Sequence, residues 1–128
     1  MRWWVPLLLS VVACIPSPDE LCRRGVELEC TRQFECQRPE VKASDGFKGG
    51  WGSSVEECKR KVAEQARCSE KVTQNDLCTG EDQGKTFDLG KAATCSSERK
   101  ALSCGDFLDP AKLPAACNER CRWVLKPL

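Results

Sequence analysis

Apolar positions recur along this chain at helical spacing. Cys22, Val26, Cys30 and Phe34 follow one another every four residues, which draws one stripe on an α-helix. Ser17-Pro18-Asp19-Glu20 precedes the stripe. Ser17 suits the N-cap, Pro18 the first turn and Glu20 the far end of a capping box. The helix is expected to end near Cys36, ahead of Pro39. Val55, Cys58, Val62 and Ala66 then repeat at 3, 4 and 4 spacing behind a second capping box, Ser54-Val55-Glu56-Glu57. They predict a second helix to about Cys68. The pairs Glu57–Lys61 and Glu56–Arg60 lie four apart on its polar side, where helix-surface ion pairs form. A third helix carries Ala92, Cys95 and Leu102 on one side to about Cys104, with Thr86 or Asp88 as cap. Gly90 weakens its first turn. Asp109-Pro110 and Leu113-Pro114 look like starts of short helical pieces, the last bearing Cys117 and Cys121 one turn apart.

Residues 37–52 carry no helix signal and hold Gly46, Gly49, Gly50 and Gly52 around Phe47 and Trp51. Residues 72–86 are polar and turn-rich. No segment alternates apolar and polar positions over a strand's length. The fold class expected is therefore all-α: a small bundle of three main helices plus short C-terminal helical pieces, stapled by disulfides. The helical domain runs over residues 17–123, with residues 124–128 as a C-terminal tail.

The N-terminus breaks the pattern. Residues 3–12 are apolar except for Pro6 and Ser10, and Arg2 precedes them. Ten helical residues reach about 15 Å, half of a hydrocarbon core of about 30 Å. A membrane-spanning helix is too long for this run, and a signal-peptide core fits it. The run closes on Val11-Val12-Ala13-Cys14, which resembles the bacterial lipobox. In that motif a small residue precedes a cysteine that is acylated and becomes the first residue. The resemblance implies a lipoprotein signal peptide at 1–13, a lipid on Cys14 and a short tether at 14–16. Plain secretory cleavage after Ala13 is the alternative.

Cysteine arithmetic bears on that choice. The 128 residues include eleven cysteines, an odd number that asks for an explanation in an exported protein. Setting Cys14 aside leaves ten: Cys22, Cys30, Cys36, Cys58, Cys68, Cys78, Cys95, Cys104, Cys117 and Cys121. An export signal puts them in an oxidising compartment, where five disulfides persist. Zinc is the competing use. Only Cys117 and Cys121 approach the close spacing that structural zinc favours, and no second pair matches them. No C-x-x-C occurs, so the thioredoxin-like redox motif is absent. No metal and no cofactor is therefore expected. If the first two helices are antiparallel, the end of one meets the start of the other, and Cys36 pairs with Cys58. Cross-links matter here because large side chains are few: four Phe, and only Trp51 and Trp123 beyond the signal. Bridges closing loops of 10 to 20 residues are each worth about 3 kcal/mol.

These cysteine-and-helix stretches resemble the small cysteine-rich predicted lipoproteins of myxobacteria. The stretches are Val55-Glu56-Glu57-Cys58, Lys85-Thr86-Phe87-Asp88 running into Lys91-Ala92-Ala93-Thr94-Cys95, and Ala101-Leu102-Ser103-Cys104 with Leu113-Pro114-Ala115-Ala116-Cys117. The resemblance covers roughly Cys14 to Cys121. It implies an exported, lipid-anchored, disulfide-rich helical domain on the periplasmic side or cell surface, and it implies no activity.

Composition and motifs narrow the chemistry. The chain has no His, which removes histidine bases and His-containing metal sites. Positive and negative side chains nearly balance, for a net charge of +1, so nothing draws nucleic acid electrostatically. Gly80-Glu81-Asp82-Gln83-Gly84-Lys85-Thr86 looks like a phosphate-binding loop, but three residues separate its glycines where that motif needs four. No nucleotide is expected there. Asp76, Glu81, Asp82 and Asp88 do not follow a calcium-loop spacing. No sequence feature selects a pair of carboxylates for hydrolysis, and no catalytic residue is assigned. Phe47 and Trp51 form a candidate partner-binding loop, since exposed aromatics are frequent anchors. The same pair folding back over a small core is the reading we favour for a domain so short of large side chains.

The expected function is a lipid-anchored interaction or structural module of the bacterial cell envelope, not an enzyme. Its partners are the membrane, through the lipid on Cys14, and other envelope proteins. An exported carboxylate-dependent hydrolase is the alternative, as is a secreted effector or inhibitor if Cys14 carries no lipid.

Overall fold

The computed structural model describes residues 14–124. The expected signal peptide at 1–13 and tail residues 125–128 lie outside the described residues. The described chain is all-α, apart from one antiparallel pair of two-residue strands.

Helix α1 (Pro18–Cys36) begins where the capping signal placed it. The Ser17 hydroxyl accepts the Glu20 N–H at 3.2 Å, while the Glu20 carboxylate turns outward to Arg24 at 2.8 Å. Half of the capping box forms. The four-residue stripe faces inward: Val26 and Cys30 are buried, with Cys22 and Phe34 packed beside them.

Residues 37–52 depart from expectation. They form two short helices, α2 (Pro39–Lys42) and α3 (Asp45–Trp51). Pro39 supplies the first turn of α2, and the Ser44 hydroxyl caps α3 by accepting the Phe47 N–H at 3.2 Å. Burial of Phe47 outweighs the low helix propensity of three glycines. Gly52 then ends α3 with φ of 80°, a conformation that glycine adopts without strain.

Helix α4 (Val55–Gln65) is capped by Ser54. The Glu57 carboxylate accepts the Ser53 N–H at 3.2 Å and is not paired with Lys61. Arg60 meets Glu64, and Lys59 meets Glu56 and Glu27, so neither expected ion pair forms. Cys58 and Ala63 are its buried residues, with Val55 and Val62 beside them, while Ala66 is exposed past the helix end.

Helices α1 and α4 are antiparallel, as Cys22–Cys68 and Cys30–Cys58 require. The expected Cys36–Cys58 bridge is not made. Cys58 meets the middle of α1 because α1 has 19 residues and α4 has 11. The last turns of α1 overhang, and Cys36 bonds instead to Cys104, 68 residues on.

A 3-10 turn at Cys68–Glu70 closes the first half, tied back to α1 by Cys22–Cys68, and the second half begins with 3-10 turns at Gln74–Leu77 and Gly80–Asp82. Strand β1 (Thr86–Phe87) follows, then α5 (Leu89–Ala101), α6 (Cys104–Leu108), a 3-10 turn at Pro110–Lys112, α7 (Ala115–Asn118) and β2 (Cys121–Arg122). Asp88, not Thr86, caps α5 by accepting the Lys91 N–H at 3.0 Å. The third helix breaks at Leu102, whose backbone is extended, and Ser103 caps a new helix that starts at Cys104. Cys117 and Cys121 do not share a helix. The chain leaves α7 after Asn118, and Cys121 pairs in register with Phe87. Cys78–Cys121 and Cys95–Cys117 staple this half.

All five bridges close wide loops. Sequence separations run from 22 to 68 residues, wider than expected, so each is worth about 3 to 4.5 kcal/mol in the chain-entropy account. The core is split in two. Val26, Cys30, Cys58, Ala63 and Cys68 form the first cluster, and Cys95, Ala116 and Cys117 the second.

A candidate interaction groove between the two halves

The overhang of α1 creates a second inward face. Glu29, Arg32, Gln33 and Cys36 follow at 3, 1 and 3 spacing and look toward the end of α5 and toward α6. Arg99 lies on the buried stripe of α5, four residues after Cys95. Its guanidinium meets the Glu29 carboxylate at 2.6 Å. The Phe107 ring, 8% exposed, receives both guanidiniums: Arg99 at 4.7 Å and Arg32 at 5.2 Å from its centroid.

Arg32 is a buried charge, 9% exposed. It donates to the Leu102 carbonyl, pairs with Glu35 at 3.1 Å, and its Nε is buried with no hydrogen-bond partner. A buried cation is costly unless it is paired. Glu35, the Leu102 carbonyl and the π face of Phe107 supply that compensation. Spacing alone carried a signal for this cluster. Arg99 occupies an otherwise apolar stripe, and Glu29 and Arg32 sit three apart beside Val26 and Cys30.

Next to this cluster is a groove of about 370 Å³. Trp51, Leu102, Phe107 and Leu113 give it apolar walls, and Gln33, Gln37 and Asp106 give it polar ones. The Gln37 amide donates to the Gln33 amide oxygen at 3.1 Å. Asp109, also on the groove, is tied to the Ala111 N–H at 3.0 Å.

The expected aromatic loop divides between two roles. Phe47 is buried and meets Phe34 edge-on at 5.2 Å, so it is a core residue and not an exposed anchor. Trp51 is half-buried, 6.5 Å from Phe47, and packs on the first cluster while lining the groove.

The polar segment holds other candidates. Asp76 accepts the Val72 and Thr73 N–H groups at 2.9 and 2.8 Å. The Thr73 bond first and the Val72 bond second hold its carboxyl below the ordinary range. Asp82 pairs with Lys85 at 2.7 Å, and Asp88 caps α5 and meets Arg122. The glycine-flanked segment at 80–86 is a 3-10 turn and a Gly84 bend leading into β1. Among the described residues no three His, Cys, Asp or Glu side chains are grouped to hold a metal ion.

Arg120 lines a smaller hollow of about 170 Å³ and donates through Nε to the Cys117 carbonyl at 2.9 Å. Burial first, then the nearby Arg99 charge, lowers its pKa, opposed by Asp82 and Glu29. On the exterior, the hydrogen bond and charge of Glu119, 2.6 Å away, raise that of Lys91.

All ten downstream cysteines are bonded in pairs, and Cys14 alone is free, exposed and three residues ahead of the Ser17 cap. Five disulfides are the mark of an exported protein. Among the described residues no helix is long and apolar enough to cross a membrane. No known protein family matches the chain, and neither a curated protein nor a solved structure matches it.

Proposed function

We propose that this chain is a lipid-anchored interaction or structural module of the bacterial cell envelope, of the kind its resemblance to cysteine-rich lipoproteins implies. The observation that carries the reading is the isolation of Cys14. Five bridges use the other ten cysteines, and Cys14 remains free and exposed beside a lipobox-like run. Only Ile15 and Pro16 lie between it and the Ser17 cap of α1. Three extended residues reach about 10 Å, so a lipid on Cys14 holds the helical body against the bilayer surface. The three acyl chains that the lipobox resemblance implies exceed the two signals that stable anchoring takes.

Partners on this reading are the membrane and neighbouring envelope proteins. The groove between the halves is the surface offered to them, because it joins apolar walls to amide and carboxylate groups. The test is Cys14→Ser in the exporting cell. The variant is expected in the soluble fraction with five disulfides intact. A variant that stays with membranes contradicts lipid anchoring. The partner half of the reading is tested by Leu113→Asp on the groove wall. Partners cross-linked to the native chain are expected to disappear while anchoring remains, and an unchanged set of cross-links rejects the groove as their surface.

A further inference from the structure

The five disulfides are not equally enclosed. Cys30–Cys58 and Cys95–Cys117 bury both cysteines, and Cys22–Cys68 and Cys78–Cys121 bury one each. Cys36–Cys104 buries neither, since both residues are half-buried. It is also the one covalent tie, besides the main chain, between the α1–α4 half and the α5–α7 half. Cys36 ends α1 and Cys104 begins α6. The bridge adjoins the groove: Gln37, next after Cys36, and Leu102 and Asp106, two residues to either side of Cys104, line it.

We infer that Cys36–Cys104 is a thiol–disulfide exchange site for an external dithiol, and that its reduction frees α6 from α1 and widens the groove. Exchange requires a thiolate to reach a disulfide sulfur, so access selects among bridges. One thiolate of the dithiol attacks one sulfur of the bridge, forming a mixed disulfide and releasing the other cysteine as a thiolate, which takes up a proton. The second thiol of the reagent then displaces the bound cysteine. The reagent leaves as a disulfide and is oxidised by two electrons, and Cys36 and Cys104 are left as thiols.

The reduced protein keeps two bridges in each half. The halves remain in contact through Glu29–Arg99 and the Arg32 bond to the Leu102 carbonyl, both outside α6, while the contact of Arg32 with Phe107, inside α6, is the one that loosens. Opening is therefore local to α6 and the groove. This inference stands on the disulfide map and is independent of the lipid on Cys14.

The experiment is a time course of the oxidised full chain in dilute dithiothreitol, quenched with an alkylating reagent and mapped by peptide mass. Cys36 and Cys104 are expected to be labelled together, at least about tenfold faster than any other pair. Hydrogen exchange at residues 103–108 is expected to rise at that stage, with helical circular dichroism retained. If another bridge opens first, or all five open in one step, the site is wrong. If selective reduction leaves exchange in α6 unchanged, the widening is wrong. A Cys36→Ser/Cys104→Ser chain is the control. It is expected to show no early labelling beyond Cys14, and early labelling at any other cysteine overturns the assignment.

Discussion

The two halves of the molecule hold the same number of internal disulfides over unlike cores. In the first half Cys30–Cys58 and Cys22–Cys68 cross an interface that is already packed, with Val26, Phe34, Trp51, Val55 and Val62 around the sulfurs. In the second half the bridge makes most of the one buried cluster: Cys95 and Cys117 are two of its three residues, with Ala116 the third, while Phe107 and Cys78 are buried apart from it. The same bond therefore does different work. It fastens two helices that apolar burial would bring together in one half, and it replaces the missing apolar burial in the other. Of the seven α-helices among the described residues, the last three, α5–α7, rest on this second principle, in which cross-links stand in for core.

The largest effect is predicted for Cys95→Ala/Cys117→Ala. Loss of a bridge spanning 22 residues removes about 3 kcal/mol, and the packing of both sulfurs goes with it. Hydrogen exchange is expected to show residues 86–122 unprotected while α1 and α4 stay protected. Simultaneous loss of protection in both halves would falsify the division. Phe34→Ala in the first half comes next, at about 3 kcal/mol. Its edge contact with Phe47 and its packing on the first cluster are lost. A denaturant titration is expected to show a lower midpoint with all five bridges kept.

A smaller change probes what joins the halves. Arg99→Met removes the Glu29 pair and one guanidinium from Phe107, at a cost of about 2 kcal/mol. A double-mutant cycle with Glu29→Gln is expected to show coupling, whereas additive losses would place the two side chains in separate environments. The smallest effect lies in the polar segment at 72–86, at the 3-10 turn Gln74–Leu77. The folded-state pKa of Asp76 is depressed, so its contribution is present above the unfolded value and is lost as pH falls through the lower folded one. Protection of the Val72 and Thr73 amides is expected to fade below the ordinary aspartate range, and Asp76→Asn to abolish that dependence.

Much of this was legible in the sequence where a local signal and the tertiary contact agree. Ser17, Ser54 and Asp88 each cap the helix they precede, and the stripe through Val26 and Cys30 faces the core. Misreadings came where a long-range contact overrode a local cue. Four glycines at 46–52 read as a loop, yet the Ser44 cap and the burial of Phe47 against Phe34 make a helix there. Cys121 read as helical, yet it lies in a strand pair with Phe87. The groove was invisible for a related reason. Its two sides come from positions about seventy residues apart, such as Gln33 and Leu102, and no periodicity reports that distance. The Cys36–Cys58 expectation had the antiparallel helices right and failed on their unequal lengths.

The central claim is a closed set of five bridges with Cys14 outside it. Non-reducing peptide mapping of the exported protein, read with its intact mass, tests it most directly. The account predicts Cys22–Cys68, Cys30–Cys58, Cys36–Cys104, Cys78–Cys121 and Cys95–Cys117, with Cys14 in no disulfide. A bridge that includes Cys14, or a free thiol among the ten downstream cysteines of the native protein, would contradict it.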